Sequence, residues 1–126
     1  VSGESPPAEP RDRAARALWT LFALGAAASL WLAVRGRDVL PDKPFVEDSF
    51  YALGAARNLG TGHGMSIDGV TPTNGVQPLW VVLLAPIYAF AGEDRVAPLR
   101  VVLLFEWALW VLTALGVAAL ARRVAA

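Results

Sequence analysis

Eighteen consecutive residues without a charge, Ala17 to Val34, constrain this chain more than any other feature. A helix of that length is about 27 Å long, close to the roughly 30 Å of a bilayer's hydrocarbon core. Arg11, Arg13 and Arg16 precede the run, and Arg35 and Arg37 follow it. Trp19 and Trp31 stand near its two ends, where indole rings favour the headgroup level. The run is longer than the apolar stretch of a secretory signal, and no small-x-small cleavage site follows Leu32, so a retained span over 17–34 is expected. A second run, Val101 to Ala121, is broken only by Glu106 and closed by Arg122 and Arg123; it predicts a span over 96–121. Between the two, residues 78–91 are apolar but short and carry Pro86, which predicts either a kinked short span or a re-entrant helix. The expected fold is an all-α integral membrane protein with three transmembrane helices.

Composition narrows the function. Residues are 56% hydrophobic and 17% charged, against about 25% charged in soluble globular chains. Eleven bases balance eleven acids, which excludes nucleic-acid binding through bulk positive charge. There is no cysteine, which excludes disulfide frameworks, zinc knuckles and thiol catalysis. Residues 1–16 hold three prolines, three acids and three arginines and read as an extended or disordered polar tail. Three spans would put the two ends of the chain on opposite sides, with five bases on one side and six on the other, so charge does not fix the orientation.

Residues 35–77 form an extramembrane loop. Within it, about 44–59 reads as an amphipathic surface helix, with Pro44 in its first turn and Glu47 and Asp48 at the positive end of its dipole. Val46, Phe50, Leu53 and Ala56 make the expected apolar stripe. Gly60, Gly62, Gly64, Gly69 and Gly75 then turn the backbone repeatedly, with Met65, Ile67 and Val70 enough for a short hairpin only.

The stretch EDSFYALGAARNLGTGHGMSIDGVTPTNGVQPLW, residues 47–80, resembles the first extracytoplasmic loop of the C-type (GT-C) membrane glycosyltransferases, particularly their bacterial protein-mannosyltransferase-like and arabinofuranosyltransferase-like branches. The likeness rests on the acidic pair Glu47-Asp48, the aromatic pair Phe50-Tyr51, ARNL followed by GHG, and DG and TNGVQPLW leading into the next span; the span before and the hairpin after also fit that layout. Glu at position 47 departs from the Asp-Asp or Asp-Glu usual in the family. The resemblance implies a bacterial inner-membrane location, an extracytoplasmic loop 35–77, and polyprenyl-phosphate sugars as donors. It gives Asp48, with Glu47 beside it, the role of catalytic base toward an acceptor hydroxyl, and a divalent metal enters only under that reading. The other reading of the two acids is that they solvate and cap a surface helix. The likeness covers only the opening part of such an enzyme.

Five further residues stand out. Gly25 and Ser29 form a small-xxx-small pair on one face of the first span, suited to close helix approach. Glu106 lies within the last apolar run, where an acid should face protein or water, and Thr113 shares its face. His63, the one histidine, lies in the glycine-rich turn, outside the spans, and reads as a turn residue. The leading expectation is a non-catalytic accessory or structural subunit of a larger membrane complex, of respiratory or photosynthetic type, derived from a GT-C-like module. Its partners would be other integral membrane subunits and lipids, with no cofactor and no nucleic acid. The alternative is the N-terminal part of a polyprenyl-phosphate-sugar-dependent glycosyltransferase.

Overall fold

The computed structural model describes residues 10–42 and 44–124. Four helices follow in order: α1 (Pro10–Val34), α2 (Glu47–Gly60), α3 (Pro78–Ala91) and α4 (Ala97–Val124). Among the described residues there is no strand; an isolated bridge, Ser66 to Pro72, is the nearest approach to the expected hairpin. α1 starts at Pro10 rather than Ala17. Proline suits a first helical position, and the arginines and alanines of residues 11–16 are good helix formers, so the helix runs on past the apolar run. Residues 1–9 of the expected tail lie outside the described residues.

α1 and α4 pack antiparallel. Trp107 Nε1 donates to the Ala26 carbonyl at 3.0 Å, and the Phe22 and Trp110 rings stack at 4.6 Å. Nearer the loop end, Ala33 and Leu40 are buried with Leu103. Arg100 donates to the Arg35 carbonyl at 2.9 Å, setting a cation at the negative end of α1. Arg37 meets both carboxylate oxygens of Asp94 at 2.8 Å. Asp94 also accepts from the Val96 and Ala97 amides and so caps α4. The Ala97 amide and the Arg37 guanidinium, with the Val96 amide, hold the Asp94 carboxyl down at about 2.

These contacts bring the end of α1 and the start of α4 together, and everything between them gathers there. α3 runs back along the first turns of α4, with Trp80 stacked on Phe105 at 5.9 Å and Val81, Leu84 and Tyr88 buried with Leu99 and Val102. Two helices, Arg13–Val34 and Ala97–Val124, are long and apolar enough to cross a membrane. α3 has 14 residues, about 21 Å of helix, and is flanked by α2 and α4. It continues through Pro86 to Ala91.

α2 also differs from its expected form. It starts at Glu47, leaving Pro44 in the preceding turn. Val46 and Phe50, two members of the expected stripe, are exposed. The buried face is Ala52, Leu53, Ala55 and Ala56, packed on α3. Gly60 comes so close to α3 that a side chain there would run into the Ala85 carbonyl oxygen.

Candidate functional site

Asp48 sits in the first turn of α2 with its side chain exposed. Val46, at the N-cap, offers no side-chain acceptor, so Glu47 and Asp48 are the groups that complement the free amides of this turn. Asp48 lines a cavity of about 380 Å³ together with Phe45, Ser49, Ala52, Leu53, Gln77, Trp80 and Glu106. A smaller one of about 250 Å³ lies on its other side, against Tyr51, Gly75, Val76 and Gln77. The larger cavity thus has α2 as its roof, Gln77 and Trp80 from the start of α3 as one wall, and Glu106 of α4 as its floor. Trp80 is held by its stack on Phe105, and Phe45 by a tilted contact with Phe50 at 5.9 Å.

Two residues singled out for different reasons meet here: Asp48 through the resemblance, Glu106 as an acid in an apolar run. Glu106 also borders a recess of about 340 Å³ on its α1 side, lined by Ser29, Leu32, Leu103, Trp107 and Trp110. Glu47 is exposed and outside the cavity. Gly25 lies under the Trp110 ring, which would be 3.1 Å from an added Cβ, so an aromatic of α4 covers the small-residue seam. Ser29 faces the recess and is exposed. Thr113 is apart from all of these, its hydroxyl donating to the Leu109 carbonyl at 2.7 Å.

The remaining motif residues build the loop that holds this site. Asn58 Nδ2 donates to the Ser66 carbonyl at 2.8 Å and to the Ile67 carbonyl at 3.1 Å, tying the glycine loop to α2. The Asp68 carboxylate accepts from the Thr71 amide at 2.7 Å and the Val70 amide at 2.9 Å; these bonds lower its pKa and fix the turn at Gly69, whose φ is +81°. Gly62 and Gly64 also take positive φ, closing the turn after α2. His63 Nδ1 lies 3.0 Å from the Thr61 hydroxyl within that turn. Gln77, Trp80 and Ser49 stand in the sequence only as letters of the motif; QPLW, where a loop enters a helix, is the one signal for Gln77 and Trp80, and Ser49 has none beyond its place after Asp48.

Asp48 and Glu106 supply two carboxylates. Among the described residues no three His, Cys, Asp or Glu side chains are grouped to hold a metal. What the arrangement can do chemically is accept a proton and a hydrogen bond inside a partly enclosed space with one aromatic wall. The chain matches no family model, no curated protein and no solved structure.

Proposed function

We propose that this chain is a membrane-embedded module that presents a carboxylate-lined cavity at the membrane boundary, and that it serves a glycosyl transfer of the GT-C type. The observation that carries the reading is the position of Asp48, in the first turn of α2 and open to the cavity that Gln77, Trp80 and Glu106 complete. Membrane residence rests on the two long helices: 6% of the apolar window of α1 and 11% of that of α4 are buried within the chain, so lipid or other membrane helices must cover them. The resemblance favours a multi-pass protein of the bacterial inner membrane with the loop 35–77, and so α2, on the extracytoplasmic side.

In this reading Asp48 takes the proton of an acceptor hydroxyl as its oxygen bonds to the anomeric carbon. The bond from that carbon to the lipid phosphate breaks, and the phosphate leaves with the electron pair. No base lies among the eight residues lining the cavity, so the cation that steadies the leaving phosphate comes from outside them.

One observation favours a second reading, that of an accessory subunit. Leu79, Val82, Leu83 and Phe90 form an exposed apolar stripe along α3, with Phe90 91% exposed. A neighbouring membrane subunit would cover it. Membranes carrying the protein, supplied with a radiolabelled polyprenyl-phosphate sugar, separate the two. The enzyme reading expects transfer that falls about 10²- to 10⁴-fold in Asp48→Asn, the range usual for loss of a general base. Undiminished transfer in that variant removes Asp48 from the chemistry. No transfer by the unaltered protein, with other membrane proteins co-purifying and lost in Leu83→Ser and Phe90→Ser, selects the subunit.

A further inference from the structure

At the end of the α1–α4 pair remote from the loop, the two helices part and leave a slot of about 490 Å³. This is within the roughly 300–1,000 Å³ of small-molecule sites. Leu18, Trp19 and Phe22 of α1 form one side. Ala114, Ala118 and Ala121 of α4 form much of the other, and their small side chains are what leave the space. The inner end is closed by the Phe22–Trp110 stack. The outer end carries Arg122, with Arg123 next to it in the last turn of α4. Residues 13–24 and 112–124 contain four arginines and no acid, with Asp12 one position beyond.

We propose that this slot holds one acyl chain of an anionic phospholipid, with its phosphate on Arg122. The shape selects a chain rather than a helix. The slot runs along about eight residues, some 12 Å, and is blocked at its inner end, whereas a packed helix, about 10–12 Å across with its side chains, needs an open seam along several turns. The charge selects an anionic headgroup, since a basic pocket between two spans attracts acidic lipid. Arg122 and Arg123 are exposed. At the other end of the pair, by contrast, Arg37 is engaged by Asp94 and Arg100 by the Arg35 carbonyl.

The test is lipid occupancy. The purified protein is titrated with phosphatidylglycerol and with phosphatidylcholine of the same chains, and one-to-one complexes are read by native mass spectrometry. Phosphatidylglycerol should bind at least about fivefold more tightly, the factor that one surface arginine supplies. Arg122→Gln should remove about that factor for phosphatidylglycerol and leave phosphatidylcholine unchanged. Ala118→Phe, which fills the slot without touching the arginines, should abolish one-to-one binding of both. Equal affinity for the two lipids, or phosphatidylglycerol binding unaltered in either variant, overturns the proposal. So does glycerol phosphate competing as strongly as the intact lipid, or a co-purified polypeptide in place of lipid.

Discussion

Asn58 shows how one side chain can organise a segment that five glycines would otherwise leave loose. Its side-chain amide donates to two successive loop carbonyls, and its backbone carbonyl accepts from the His63 amide at 2.8 Å. The loop is then closed by the Thr73 amide on the Met65 carbonyl at 2.9 Å. Asn58→Ala removes both side-chain bonds, a loss of about 1–3 kcal/mol at a partly buried site. Exchange of the Thr73 amide should therefore speed up about tenfold to a hundredfold. An unchanged rate would mean that the turn at Asp68 and Gly69 holds the loop unaided. In the sequence Asn58 was legible only as a letter of ARNL, because its acceptors are carbonyls and any residue has one. Asp48 was legible because acid followed by aromatics, at the start of a helix, is a pattern of residue types. The meeting of Asp48 with Glu106, 58 positions later, was not, because it depends on how three helices pack.

At the scale of elements, the two close helix contacts are made by small residues, and hydropathy ranks small residues low. Ala52, Ala56 and Gly60 recur every four positions, and that row, not Val46 and Phe50, turns to α3. Beside the buried Leu53, close backbone approach at Gly60 settles which face of α2 packs. The Gly25–Ser29 pair is legible as small residues within an apolar run; of the α2 face, Leu53 and Ala56 are legible in the expected stripe and Ala52 and Ala55 are not. Trp110, which covers Gly25, is not singled out by the sequence. Trp110 lies at 3.1 Å from the place of a Gly25 Cβ, the far end of a side chain that can give slightly. Gly25→Ala should thus be tolerated, while Gly25→Leu must displace the ring and part the helices. The cost of such overpacking is about 1–3 kcal/mol. Because the chain has no cysteine, a disulfide cross-link between Ala33→Cys and Leu103→Cys reports the seam directly. Its yield or rate should fall about tenfold on adding Gly25→Leu and stay near its starting value with Gly25→Ala. Equal cross-linking with leucine would show that Trp110 does not set the spacing.

For the whole molecule, the number of apolar runs does not by itself fix the number of crossings. A run of 13 or 14 apolar residues is what both a short span and a helix covered by protein look like, and only its neighbours distinguish them. In the structure α3 has α2 on one side and the start of α4 on the other, and the chain enters and leaves that cluster at the same end of the α1–α4 pair. The bond from Arg37 to Asp94 fixes this, since it joins the residues just after α1 to those just before α4. If both long helices cross the bilayer, residues 35–96 lie on one side, and the start of α1 and the end of α4 lie on the other. Three crossings would divide them differently: Glu93 would share a side with the start of α1, and Thr71 would share a side with the end of α4. Thr71, Glu93 and Val124 are all exposed, so a single cysteine at each can be labelled with a membrane-impermeant maleimide in sealed vesicles. With two crossings, Thr71→Cys and Glu93→Cys react from the same side and Val124→Cys from the opposite one. Reaction of Thr71→Cys together with Val124→Cys, and of Glu93→Cys from the other face, would restore the third crossing. It would also separate α3 from α2, opening the cavity around Asp48.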